Sequence, residues 1–237
     1  MSLAVVYTRA EEGVHAPLVT VEVHLSGGLP GLAIVGLPEA EVRESRDRVR
    51  AALINSAFEV PQQKMTVNLA PADLPKEGGR FDLPIAIGVL AASRQLPAEQ
   101  VARYEFIAEL ALSGELRSVR GALPAVLRAL EHGRIPIVPA GNALEAGLVA
   151  DGAALSARTL LEVASLLGRA MDLAGPGHRV VDVAVFRRDV EVAEHHELRV
   201  RGPLGFEVRG ERCTQVEPVH SQVSPRTRAA SSTPPCR

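Results

Sequence analysis

The chain has 237 residues, 46% of them hydrophobic, and carries 26 basic against 28 acidic side chains for a formal net charge of −2. That length suits one large domain or one domain with an appendage, and the near-neutral balance argues against a broad basic surface for nucleic acid, leaving room only for a local patch. Aromatics make up 3% and there is no Trp, which argues against base-stacking platforms. No basic segment followed by a long apolar run opens the chain, and no stretch approaches the roughly 18 apolar residues of a membrane span, so a cytoplasmic protein with no membrane partner is expected. Cys213 and Cys236 form no metal-ligand spacing and no disulfide framework.

Residues 3–8, LAVVYT, and 18–25, LVTVEVHL, read as strands. The second alternates Leu18, Thr20, Glu22 and His24 against Val19, Val21, Val23 and Leu25, the period of a half-buried strand. A GGLPG turn leads to a third strand, LAIVG, at 32–36, and then to a helix opened by Pro38 with Glu39 and Glu41 in its first turn. The pairs Glu39/Arg43, Arg43/Asp47 and Glu44/Arg48 are spaced for surface pairing, and Val42, Val49, Leu53 and Ala57 form the expected buried stripe. A strand over 64–71 is followed by a helix from Asp82 to Gln95, short strands around Gly114, a helix over 122–133 closed by Gly133, and the strand IPIVP. Asn142-x-x-Glu145 reads as a capping box, and Ser156 as the cap of a helix ending near Arg169. Strands and helices mix through 1–170, which predicts one α/β or α+β domain.

The stretch LAPADLPKEGGRFDLPIAIGVLAAS, Leu69–Ser93, places Lys76, Glu77, Arg80 and Asp82 in a Pro- and Gly-rich loop on the lip of an apolar helix. Loops so placed often hold functional groups. Two readings follow: solvated charges holding a turn, or an interaction surface formed by Lys76, Glu77, Arg80 and Asp82, with Lys76 and Arg80 as its cations toward a neighbouring subunit, an ATPase ring or DNA phosphate. Arg43, Arg46, Arg48 and Arg50 cluster on one helix, but the interleaved Glu44 and Asp47 favour a self-paired, solvated face. His195 and His196 are adjacent in an irregular segment, which is poor metal geometry, and His15, His24 and His132 stand alone.

Three blocks, GLPGLAIVGLPEAEVRESRDRVRAAL (28–53), VNLAPADLPKEGGRFDLPIAIGVLAAS (67–93) and ELALSGELRSVRGALPAVLRA (109–129), closely resemble the N-terminal domain of the ComM (YifB) family of magnesium-chelatase-like ATPases. The resemblance covers roughly residues 3–170. It implies an α+β fold like the Lon protease catalytic domain and the second domain of ribosomal protein S5, over residues 1–172. It further implies an AAA+ ATPase module and a zinc-binding region beyond that domain, a hexameric assembly, and a link to branch migration of DNA in natural transformation. Self-association and DNA are thus the expected partners.

The sequence departs from that pattern in two ways. The nucleotide-binding module needs G-x-x-x-x-G-K-[ST], whose backbone N–H groups and Lys hold phosphates. No Gly-Lys-Ser or Gly-Lys-Thr occurs, and GPLGFEVRG at 202–210 has no Lys. No cofactor is therefore expected here; ATP and Mg belong to the absent module. In Lon-like proteases the equivalent loop carries a Ser nucleophile, with a Lys further on as base. Here Pro75-Lys76-Glu77-Gly78 matches, but Gly79, Arg80, Phe81 and Asp82 follow, and the block from Gly121 to Arg128 has no Lys. A nucleophile without an adjacent base is inert, so no catalytic residue and no metal ligand is assigned. Residues 173–237 lose the amphipathic pattern, and 221–237 are rich in Ser, Thr, Pro and Arg. They are expected to form an irregular or disordered tail. With no Lys, Ile, Asn or Tyr from Gly175 onward, an out-of-frame origin is expected, the family match ending near Asp172 and the chain being truncated before the motor. The apolar run VVDVAVF (180–186) supports the alternative of a genuine extension with one strand.

Overall fold

A computed structural model describes residues 2–36, 38–149, 153–168 and the pair 184–185. All of these lie in the first of two compact units, Met1–Val190. The helices and strands follow in the order β1 (Ser2–Arg9), β2 (Leu18–Ser26), β3 (Gly31–Val35), α1 (Ala40–Asn55), β4 (Lys64–Ala70), a 3-10 turn (Gly79–Phe81), α2 (Asp82–Ala92), α3 (Ala98–Val101), β5 (Tyr104–Phe106), β6 (Glu109–Leu110), β7 (Leu116–Arg117), α4 (Ala122–Glu131), β8 (Ile135–Pro139), a second 3-10 turn (Ala140–Asn142), α5 (Ala143–Gly147), β9 (Leu155–Ala157), α6 (Leu160–Leu166) and β10 (Ala184–Val185). The architecture is a mixed α/β layer structure around an eight-stranded sheet ordered β10-β9-β8-β5-β1-β2-β4-β3, with β6 and β7 as a separate two-stranded pair.

The long β1–β2 hairpin is antiparallel with Val6 opposite Val21, and β4 joins β2 antiparallel with Val67 opposite Val23. The other half of the sheet, β1-β5-β8-β9, is parallel throughout, and β3 also runs parallel to β4. The alternation in β2 is realised: Val19, Val21, Val23 and Leu25 are buried while the intervening residues are half-buried. Those buried side chains meet α2. Every residue of α2 is buried, which is why its sequence shows no polar face. It packs so close to the sheet that a Cβ on Gly88 would lie 2.5 Å from Val23 Cγ2.

In α1, Val42, Val49 and Leu53 are buried as the spacing predicts, joined by Ser45 and Ala52. Ala57 is not part of the stripe. It is exposed with φ +61°, two residues past the helix end, and Phe58 turns inward instead, its N–H bonding to Leu53 O at 2.9 Å. A second, smaller apolar cluster, with Ala16, Ile107, Val126, Val138 and Ala146 among its members, joins α4 and α5 to β8.

Ser156 does not cap a helix. It is a buried residue of β9, and α6 is capped by Thr159, whose Oγ1 accepts from Glu162 N–H at 3.2 Å. Ala184 pairs with Ser156 across the last strand pair, inside the VVDVAVF stretch. Cys213, Cys236, His195, His196 and the 202–210 segment all lie outside the described residues. Among the described residues no helix is long and apolar enough to cross a membrane.

Candidate functional site

The loop between β4 and α2 is stitched to the start of α1. Pro38 and Lys76 form a parallel bridge, and Glu39 N–H donates to Lys76 O at 3.2 Å. Gly78 has φ +74°, the left-handed region that glycine reaches without strain, and it turns the chain into the 3-10 turn.

Of the four charged residues that mark this loop in the sequence, only Glu77 is exposed. Lys76 is 0% exposed, and its ammonium donates to Pro71 O. Burial lowers its pKa, with the charge of Asp73 opposing. Arg80 is 3% exposed; its Nη2 donates to Glu11 Oε2 and to Arg120 O, both at 2.5 Å. Its pKa is lowered by burial, offset in part by Glu11. Asp82 is 0% exposed and accepts from Arg48 Nε at 2.7 Å and Nη2 at 3.1 Å, and from Leu110 N–H at 3.2 Å. The reading of these residues as solvated charges holding a turn is therefore corrected for three of them. The physical reason is that each finds partners inside: a buried charge is tolerable when paired and hydrogen-bonded. A phosphate contact through Lys76 and Arg80 meets the same obstacle, because both cations already donate to groups of the protein.

The Arg48–Asp82 pair ties α1, α2 and β6 together at one point. Burial pushes the Asp82 carboxyl up, against the hydrogen bonds and charge of Arg48, the Ser45 hydroxyl and the Leu110 N–H, while the bond to Asp82 raises the Arg48 guanidinium. The two directions disagree about how firmly the pair is ionised. Arg48 reaches solvent with 21% of its side chain exposed, so it stays charged, and the carboxylate is the member that would take up a proton. Arg48 is thereby removed from the self-paired arginine face, although it also lies 3.7 Å from Glu44. Of the other expected pairings on α1, Arg43 donates to Pro38 O at 3.2 Å and Arg46 pairs with the adjacent Asp47 at 3.3 Å.

Beside the loop is a cleft of about 490 Å³ lined by residues 77–80 on one wall and 118–120 on the other, with Glu11, Glu41 and Glu109 around it. Gly79 permits the approach of Glu109, whose Cγ lies 2.5 Å from where a Cβ would stand. The far wall is held from behind by Asn142. Its Oδ1 accepts from Val119 N–H and its Nδ2 donates to Val119 O, both at 2.9 Å. Glu145 accepts from Asn142 Nδ2 at 3.0 Å and from Leu123 N–H at 2.8 Å. The Asn142-x-x-Glu145 spacing is thus a clamp on the 119–123 segment, and the side chain of Asn142 does not cap α5.

A second buried pair escaped the sequence reading. Glu105 accepts from Arg9 Nε at 2.7 Å and Nη2 at 2.8 Å and from Arg134 at 3.2 Å, and the Arg134 guanidinium lies 3.9 Å from the centre of the Tyr7 ring. Arg9 is 96 positions from Glu105 and Arg134 is 29, so no local spacing announces them. Among the described residues no group of three or more His, Cys, Asp or Glu is placed to hold a metal ion. The loop itself presents no hydroxyl or thiol at Gly79–Asp82, and the Lys76 ammonium is enclosed.

The chain matches the family described as subunit ChlI of Mg-chelatase over residues 21–142. It is 60% identical over 167 residues to the protein named Competence protein ComM of Haemophilus influenzae, covering 70% of this chain and 33% of that protein. It is 49% identical over 220 residues to the uncharacterized protein YifB of Salmonella typhimurium, covering 86% of this chain and 44% of that one. A mycobacterial relative, the uncharacterized protein Mb2921c of Mycobacterium bovis, is 38% identical over 221 residues, covering 86% of this chain and 44% of its own length. The chain therefore spans between a third and a half of the length of these relatives. In the last two, 86% of 237 residues is about 204, more than the 172 that end at Asp172. The similarity to these two runs past Asp172, whereas the 60% identical stretch spans 167 residues. With three blocks matched in order and the model match spanning half the chain, this protein belongs to the ComM/YifB family of magnesium-chelatase-like proteins.

Proposed function

We propose that residues 1–172 act as a non-catalytic accessory domain of the ComM type, with a fold of the ribosomal protein S5 domain 2 and Lon protease kind, serving assembly of a DNA-processing ATPase in the cytoplasm. Carrying this reading is the chemistry of the β4–α2 loop, where a Lon-like enzyme would hold its nucleophile. Gly79, Arg80, Phe81 and Asp82 stand there, and Lys76, Arg80 and Asp82 are enclosed among the protein's own groups. Such a loop is suited to fixing the shape of a surface. The name of the 60% identical relative supports a place in competence, and branch migration of DNA is the activity proposed for the complete motor. ATP and Mg would serve that motor through a phosphate loop, which this sequence lacks.

Self-association is favoured over direct DNA contact, because the loop's two cations are internally bonded. Sedimentation velocity and a salt-dependent DNA titration of the chain test this together. The expected result is a concentration-dependent oligomer with DNA binding no tighter than non-specific. A monomer at all concentrations that binds branched DNA at nanomolar Kd would replace it with a free-standing nucleic-acid module.

A further inference from the structure

β3 is the terminal strand of the eight-stranded sheet and is paired on one side only, to β4. Gly31 N–H donates to Gln63 O at 3.4 Å, so the main-chain groups of Gly31, Ala33 and Val35 point toward β4 and those of Leu32 and Ile34 point outward. The outward N–H and C=O groups have no partner among the described residues. Edge strands are ordinarily blunted by Lys, Pro or a bulge. The register of Gly31–Val35 on β4 runs without a bulge, the strand holds neither Lys nor Pro, and residues 27–36, GGLPGLAIVG, carry no charged side chain. An edge left open in this way is a template for another strand.

The shape and charge of the edge say which strand. Antiparallel pairing with a second β3 about a two-fold axis at Ala33 sets Leu32 against Ile34 of the second copy, and Ile34 against its Leu32, each pair exchanging both main-chain bonds. Ala33 then faces its own counterpart at the close spacing of a non-hydrogen-bonded pair, about 4.5 Å between Cα atoms. Val35, 45% exposed, falls opposite Gly31, beside which a Cβ would meet nothing within 4 Å. The helix α1 adds charge complementarity. It packs against β3 and runs back along it before the chain enters β4 parallel to β3. At about 3.3 Å per strand residue and about 1.5 Å per helix residue, it passes the level of Ala33 near Ser45. Ahead of that point its exposed charges are Glu39, Glu41 and Glu44 with Arg43; beyond it they are Arg46 and Arg50 with Asp47. An axis at Ala33 lays the two helices antiparallel, the acidic half of one toward the basic half of the other.

We propose that the β3 edge is where two copies of this chain meet, β3 against β3, joining their sheets into one. The proposal rests on the self-association reading above and names its surface. Because the pairing consumes the same edge of both copies, it closes as a two-fold dimer.

Sedimentation velocity of the full chain over a concentration series is the test. The parent should dimerise. Ala33→Lys and Ala33→Glu each set like charges face to face across the axis and should weaken the dimer at least tenfold. An equimolar mixture of the two variants should return to within threefold of the parent. Ala33 is exposed, so both variants fold, and matching urea midpoints verify it. Leu144→Lys, at a residue 84% exposed on α5 beside β8, should stay within twofold. A parent oligomer that survives both Ala33 variants would keep self-association and overturn this surface. So would a mixture no tighter than either variant alone, or equal weakening by Leu144→Lys. A parent that is monomeric at every concentration would overturn the self-association reading and this proposal with it.

Discussion

Replacing Arg48 with Met tests the account of the β4–α2 loop at its most constrained point. The substitution keeps most of the side-chain volume and leaves the Asp82 carboxylate 0% exposed without its bidentate partner. Breaking a buried pair from one side costs about 3–5 kcal/mol, a large part of the roughly 5–15 kcal/mol by which a domain is stable. For a domain of this size that corresponds to a fall in Tm of about 6–20 °C. Urea unfolding at constant m is the assay. The pH dependence carries the sign. Burial already holds the Asp82 pKa above its ordinary value in the folded state, and losing Arg48 raises it further. A carboxyl raised on folding binds more protons folded than unfolded, so its contribution is fully present below the unfolded value of about 3.9 and is lost as pH rises through the folded one. The deficit of Arg48→Met against the parent should therefore shrink as pH falls from 8 toward 4. Adding Asp82→Asn to Arg48→Met removes the stranded charge and should recover part of the loss at pH 8. A deficit under about 0.5 kcal/mol, or one that is the same at both pH values and unrelieved by Asp82→Asn, would refute the reasoning.

Gly88→Ala places a methyl 2.5 Å from Val23 Cγ2 in the closed interface between α2 and β2 and should destabilise by about 1–3 kcal/mol, read from the shift in urea midpoint. Asn142→Leu strips both hydrogen bonds from Val119 and should cost about 1–3 kcal/mol, with faster amide exchange in 118–123 as the local signature. The chain should neither bind nor hydrolyse ATP, since no G-x-x-x-x-G-K-[ST] segment is present; a Mg-dependent ATPase that survives several purification steps and isothermal calorimetry would contradict this.

The strands and longer helices were legible because their cause is local. The period-2 pattern of Leu18–Leu25 and the uninterrupted apolar run of Leu83–Ala92 each state how much of their surface meets the core. Helix ends were less legible. Ala57 fits the stripe of α1 by spacing, yet the helix stops at Asn55 because the chain turns to bury Phe58. Ser156 looks like a cap by residue type, yet it sits inside β9 while Thr159 does the capping. The buried ion pairs were not legible at all. Arg48 reads as one of four arginines on a solvated face, and nothing within one helical turn shows that its partner is 34 positions away. Glu105 with Arg9 is the same case at greater distance.

These long-range pairs also explain how a loop resembling a protease's catalytic segment is held in this fold. A general base or nucleophile must be reachable by substrate and must change protonation cheaply near the working pH. Burial lowers the Lys76 pKa, but its ammonium is enclosed and donates to Pro71 O, and no hydroxyl or thiol stands at Gly79–Asp82. Arg80 and Asp82 occupy the entry to α2, where their bonds to Glu11, Arg120, Arg48 and Leu110 fix the angle at which the buried helix leaves the loop. Arg80, Asp82 and Asn142 are the joints that hold α1, α2 and the 118–120 wall in register.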